Sequence, residues 1–264
     1  KRGLTHRDYI STLKIMGDIQ FNQGSTNARA SATSFALANT VSSLIEVRGV
    51  GLGRESFKRR VMTTFWVAQS YLRTAVRESA RVRETIQASI NDASKVAVTS
   101  VRLKQAATIE AIDLVQSKKT DLDVVIHDAL RSKPVLTRSR PKAYLLLPNQ
   151  AYLVQKLETL GLVVRKTQEA QSLKVESFQV THARRDPLPY EGVYRQKVQT
   201  RVAEKSMNFP VGSYIVELNQ RHANLAVVVL EPESSNGFIS FGVLEVEPGQ
   251  ELPIYRYLNE SELN

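Results

Sequence analysis

The sequence predicts an α/β fold, in which a strand and a long helix of one domain are followed by a smaller β-rich domain. Three observations carry this. Leu44, Ile45 and Val47 form a short apolar run of the kind a buried parallel strand shows, and Gly49, Gly51 and Gly53 follow it at every second position. From Glu55 the apolar residues Phe57, Val61, Phe65, Ala68, Leu72, Ala75 and Val76 recur at three- and four-residue steps, a helical period. From Ser94 onward β-branched residues rise and the period shortens.

Residues 1–34 are polar and irregular, which predicts loop with a short helix near Tyr9 to Met16. Residues 35–47 then run from a helix end into the Leu44 strand. The long helix can be carried to about Ala93, with a break allowed after Ala80, and its single tryptophan, Trp66, reads as packing. Short strands are expected at Val96 to Val101, Ile109 to Val115 and Leu122 to Ile126. The basic stretch 132–141 carries two prolines and reads as a junction, so the expected division is 1–93 and 94–264 with that stretch as the alternative boundary. Ala143 to Leu147, Asn149 to Leu160 and Leu162 to Arg165 make a short βαβ unit, its helix stopped by Gly161. Strands near Val175 to Val180, Tyr194 to Val202, Ser213 to Glu217, Ala226 to Leu230 and Ile239 to Val243 complete a small antiparallel sheet or sandwich.

Composition narrows the classes. With 264 residues the chain has room for two domains, and 42% hydrophobic content suffices to bury their cores. There is no cysteine, so disulfides and thiolate metal sites are excluded. No run approaches the ~20 apolar residues of a membrane span. The opening Lys1 to Asp8 lacks the apolar centre of a secretory signal, and without an initial Met, Lys1 reads as an internal position of a longer product. The net charge of +10 invites nucleic acid as a partner, but basic residues are scattered among acids, as in Arg73, Arg77, Glu78, Arg81, Arg83 and Glu84. No nucleic-acid partner is therefore expected.

Glu46 is the residue that asks for an explanation. An ionised carboxylate inside an apolar run is costly unless paired or hydrogen-bonded. It is either bridged to Arg48 or placed at a strand end, where the crevice of an open α/β sheet binds ligands. Asp121 and Asp123 alternate in a strand and could meet a cation, though a solvated edge is the favoured reading. There is no nucleophile elbow and no phosphate-cradling loop, and the spacing of Gly49, Gly51 and Gly53 is not that of a dinucleotide fingerprint.

Three blocks then point one way. Phe35 to Gly51, with Ser42-Ser43-Leu44-Ile45-Glu46-Val47-Arg48-Gly49 at its centre and Lys58-Arg59-Arg60-Val61 downstream, resembles the segment around the catalytic glutamate of zinc metallocarboxypeptidases of the carboxypeptidase A-like family. Arg140-Pro141-Lys142-Ala143-Tyr144-Leu145-Leu146-Leu147-Pro148 resembles a later segment of the bacterial branch, and so does Asn224 to Ser234. The resemblance implies the C-terminal portion of such an enzyme, hydrolysing C-terminal peptide bonds with Glu46 as general base and then acid. It implies Zn2+, but the family's His-x-x-Glu ligand pair is missing: three residues after His6, His127, His182 and His222 stand Tyr9, Leu130, Arg185 and Leu225. The metal ligands are thus expected upstream of this chain, none within it, and the chain alone is expected to be inactive. Arg29 is a candidate for a substrate carboxylate, by a bidentate pair. Tyr9 stands too far from Glu46 for the family's mobile tyrosine. The implied substrate is a peptide or peptidoglycan-type polymer, and the implied location periplasmic or extracellular. A non-catalytic peptide- or cell-wall-binding module is the alternative.

Overall fold

A computed structural model describes residues 3–15, 18–258 and 263. It is a mixed α/β structure with two sheets. The chain forms two compact units, each drawn from three stretches: one from the stretch to Thr26, Ser42–Gln87 and Val101–Lys133, the other from Asn27–Val41, Ala88–Ser100 and Pro134 onward.

In the first unit, β1 (Ile10–Ile15) and β2 (Asp18–Gln23) pair antiparallel, with Ile10 opposite Gln23. The helix expected near Tyr9 to Met16 is not formed. β2 lies parallel to a strand a hundred residues on, Gln20 opposite Val125, and a pairing that distant leaves no mark on the local sequence period. That partner is β4 (Lys118–Arg138), which completes the four-stranded order β1-β2-β4-β3 with β3 (Val96–Asp113). The separate short strands expected between Val96 and Ile126 are instead these two long ones. Neither Gly nor Pro interrupts 96–133, and the one tight turn is fixed by Asp113, whose Oδ1 accepts from the amides of Val115 at 2.8 Å and Gln116 at 3.1 Å.

The long helix breaks at Glu78 (φ −99°, ψ 17°), giving α2 (Phe57–Arg77) and α3 (Ser79–Ile90). The apolar stripe of α2 is present but uncovered: Phe57, Val61, Phe65, Leu72 and Val76 are all exposed, Phe65 by 55%. The expected strand at Leu44 to Val47 is likewise absent. Residues 41–47 are irregular chain with Leu44 59% exposed, because no strand lies beside them to take up their backbone donors and acceptors.

The second unit contains a six-stranded sheet, order β6-β9-β5-β10-β7-β8, antiparallel at each register the pairs record. β5 (Ala143–Leu146) is buried along its whole length. Its residues alternate between two cores: Tyr144 and Leu146 join the larger one with α4 (Ala151–Thr159), while Ala143 and Leu145 face a smaller one with Phe209, Tyr255 and Tyr257. A strand covered on both faces reads as a continuous apolar run, as this one does. β6 (Arg165–Lys166) follows α4, and β9 (Tyr214–Glu217) inserts between β5 and β6. β7 (Gln171–Arg185) and β8 (Gln196–Phe209) form a long hairpin.

Two expected strands fail here. Ala226 to Leu230 belongs to α5 (Ala223–Leu230), which buries Ala223, Ala226, Val227 and Leu230 at helical steps in spite of its valine run. Ile239 to Val243 is a series of turns. The central strand β10 (Glu251–Tyr257) was not expected, because Pro253 lies inside it. The register shifts between Glu251 and Tyr255, which accommodates the proline, and ordinary alternation sends Leu252 and Ile254 to the larger core and Tyr255 and Tyr257 to the smaller. The remaining helix, α1 (Ser31–Leu37), leads to Asn39, whose Nδ2 donates to Arg221 O at 2.8 Å and whose Oδ1 accepts from Ser89 Oγ at 2.7 Å.

Candidate active site

Glu46 lies in the irregular stretch of the first unit and its side chain is exposed. Neither an ion pair nor a side-chain hydrogen bond joins it to Arg48 among the described residues, so the structural salt bridge is not formed. What the structure does build is the turn behind it. Gly49 takes φ +136°, and a Cβ there would meet Ser56 Cβ, Ser56 Oγ and Arg59 Nη2, each at 2.8 Å. Ser56, buried at the end of a 3-10 turn over Val50–Ser56, donates through Oγ to Gly49 O at 2.5 Å and lies 3.0 Å from Gly53 O. Arg59 Nη2 donates to Arg48 O. The start of α2 thus holds the chain leaving Glu46 by two side-chain contacts, and glycine is the residue that lets them close.

Ser56 and Arg59 are the residues that sequence reasoning overlooked as supports of this turn. Arg59 lay inside the quoted block, Lys58-Arg59-Arg60-Val61, but as a marker of resemblance without a task. The arginine pair Arg59-Arg60, beginning six residues beyond Gly53, was the available signal.

Arg29 belongs to the second unit. Its guanidinium pairs with Glu191 and stacks over Phe241, 4.7 Å from the ring centroid, with Tyr190 at 5.8 Å. A guanidinium committed to a carboxylate and a ring has a structural task already. Tyr9 is half exposed, and its carbonyl accepts from Gly24 N at 3.2 Å.

The histidines do not converge. His6 is exposed; His127 Nε2 is 2.7 Å from Gln20 Oε1, His182 Nδ1 is 3.3 Å from Thr181 Oγ1, and His222 Nδ1 is 2.8 Å from Gly161 O. Among the described residues no group of three His, Asp or Glu side chains could hold a metal ion. Asp123 Oδ1 accepts from Thr108 Oγ1 at 2.9 Å instead of meeting Asp121 at a cation. The described residues therefore do not assemble a zinc ligand set. Nor is any helix among them long and apolar enough to cross a membrane.

The blocks downstream of Glu46 have structural tasks. Ala143 to Leu146 is the doubly buried β5, and Glu231 and Glu233 enter a buried charge network. Arg138, with a side chain 8% exposed, donates through Nη1 to Glu231 Oε2 and Glu233 Oε2, both at 2.7 Å, and through Nη2 to Glu233 Oε1 at 2.9 Å. Tyr144 Oη donates to Glu231 Oε1 at 2.7 Å, and Arg256 lies 3.2 Å from the same oxygen. Burial pushes the Tyr144 hydroxyl well above the ordinary tyrosine range, and the Glu231 charge and hydrogen bond add to it.

No family model matches the chain. No solved structure gives a significant match either. Curated proteins do. The chain is 34% identical over 238 residues to carboxypeptidase 2 of Trichophyton rubrum, and 33% identical over 238 residues to that of Trichophyton tonsurans. In both cases 89% of this chain is aligned with 44% of the relative. A probable carboxypeptidase 2 of Arthroderma benhamiae is 32% identical over 213 residues, which is 79% of this chain and 40% of that protein. The chain spans less than half the length of these relatives, and the proteins it resembles along nearly its whole length are fungal carboxypeptidases.

Proposed function

We propose that this chain is the C-terminal part of a zinc-dependent carboxypeptidase that hydrolyses C-terminal peptide bonds, with Glu46 as its proton carrier. The observation that carries the reading is the alignment of 238 residues with carboxypeptidase 2 of Trichophyton rubrum. Two features of the fold support it. The exposed Leu44 and Ile45 lead into an exposed carboxylate, and α2 bears an uncovered apolar stripe. An irregular segment and a helix expose apolar side chains like this when the surface they pack on is supplied by other residues of the same enzyme.

In this reading Glu46 takes a proton from the attacking water as the carbonyl carbon is attacked, then passes it to the amine as the C–N bond breaks. Gly49, Ser56 and Arg59 hold the backbone just beyond it, fixing the direction in which the carboxylate is presented. The zinc ligands lie outside this chain, and bound zinc would supply Lewis acidity. The substrate is a peptide or a peptidoglycan-type chain end, met outside the cytoplasm.

The test is made on the full-length protein. Glu46→Gln is expected to leave zinc content unchanged and to lower kcat by about a hundredfold or more, the contribution of a positioned acid–base group. Turnover retained in the variant, or a full-length protein that releases no C-terminal amino acid, would overturn the assignment.

A further inference from the structure

A cavity of about 550 Å3 opens within the second unit, in the size range of small-molecule sites. Asp92, Arg140, Lys142, Arg165 and Glu217 are among its lining side chains. Arg165 and Glu217 neutralise one another at 2.5 Å. Arg140 is different. Its Nη1 donates to the neutral Asn224 Oδ1 at 2.9 Å, and no carboxylate lies within ion-pairing distance of it among the described residues. Further N–H groups of its planar fork are left to donate.

Asp92 is held in place by Ser94, whose amide donates to Oδ1 at 2.8 Å and whose hydroxyl donates to Oδ2 at 2.9 Å. Burial pulls the Arg140 guanidinium below its ordinary value, with the charge of Asp92 among the influences opposing this. The Ser94 hydrogen bonds hold Asp92 below the usual carboxylate range, and Arg140 adds to the effect. The two opposite charges therefore feel one another without touching. Both line one cavity, whose wall continues in the apolar Ile90 and Leu218.

We propose that this cavity binds a free aliphatic α-amino acid, with its carboxylate on Arg140 and its ammonium on Asp92. A carboxylate matches the guanidinium fork, and an ammonium one carbon away matches the neighbouring Asp92. Phosphate would satisfy Arg140 but leave Asp92 facing a like charge. Arg140 is well placed to recognise geometry, because Lys142 N donates to Tyr257 O at 2.7 Å and Leu218 N to Lys142 O at 2.9 Å, tying its loop to the central strands. The site uses nothing near Glu46 and goes beyond the peptidase reading.

Titration calorimetry on the full-length protein tests it, with leucine, N-acetyl-leucine, leucine amide and inorganic phosphate as probes. Leucine is expected to bind, and capping either end to weaken it by about tenfold or more. Arg140→Gln should weaken leucine by a similar factor and leave leucine amide unchanged. Asp92→Asn should weaken leucine and leave N-acetyl-leucine unchanged. Should Asp92→Asn fail to fold, the Arg140→Gln comparison decides alone. Absence of leucine binding, equal binding of leucine and its capped forms, or tighter binding of phosphate overturns the proposal. Arg140→Gln should weaken leucine binding while the full-length protein keeps its peptidase activity, so failure of this site and failure of the peptidase reading are separate results.

Discussion

Arg138 and Glu233 meet fork to fork, Nη1 to Oε2 at 2.7 Å and Nη2 to Oε1 at 2.9 Å, while the same Nη1 also reaches the fully buried Glu231. Burial alone would lower the Arg138 guanidinium and raise the Glu233 carboxyl. Their mutual hydrogen bonds and charges win, leaving Arg138 above its ordinary range and Glu233 below its own. Arg138→Met removes one partner and leaves two carboxylates buried against it. The expected cost is about 3–5 kcal/mol, read from urea unfolding. Glu233→Gln keeps the shape and Thr200's hydrogen bonds and should cost less, about 1–3 kcal/mol. Equal costs would mean that Glu231 does not depend on Arg138.

Glu233 also makes stability depend on acid. Its folded value lies below the unfolded value near 4.5, so the unfolded chain binds the proton first as pH falls. The stabilisation is fully present above that unfolded value and is lost as pH drops through the folded one. Wild-type stability should therefore fall more steeply below pH 4.5 than that of Glu233→Gln. Unfolding free energies measured across that window give the difference in slope.

At the other end of the scale, burial raises the Tyr255 hydroxyl from 10.0 to about 12, with help from the charge and the hydrogen bond of Glu251. The hydroxyl donates to Glu251 Oε1 at 3.2 Å. Its contribution to stability is complete below 10 and is lost as pH rises toward 12, because the unfolded chain ionises first. A phenolate absorbance titration compared with Tyr255→Phe should locate this ionisation. Glu251→Gln should move it downward, though not as far as 10, since burial remains.

The glycines after Glu46 separate close approach from backbone conformation. Gly49→Ala places a methyl group 2.8 Å from Ser56 and Arg59 at φ +136°, and about 1–3 kcal/mol of destabilisation is expected. Gly53 has φ +65° and ψ −156°, a region that L side chains hardly enter, but nothing lies within 4 Å of an added Cβ, so Gly53→Ala should cost about 1–3 kcal/mol from the backbone alone and less than Gly49→Ala. Thermal unfolding of the two variants side by side checks the order.

What could be read from the sequence followed from how local each interaction was. β5 and α4 were legible because four consecutive buried residues and a helix closed by Gly161 at φ +82° both leave their mark within a few positions. α5 was not, since Val227, Val228 and Val229 favour a strand and only the packing of Ala223, Ala226 and Leu230 makes the segment a helix. β10 was hidden by Pro253, which a register shift accommodates. Glu46 was legible through its surrounding block, whereas Arg140 and Asp92, 48 positions apart, face one cavity only because the chain returns on itself.

The two units are threaded through one another in sequence, each assembled from three stretches that alternate with those of the other. Neither is a continuous length of the gene. A single cut anywhere from Asn27 to Lys133 would strip both of strands or helices at once, so no one fragment of the chain carries either unit whole without part of the other.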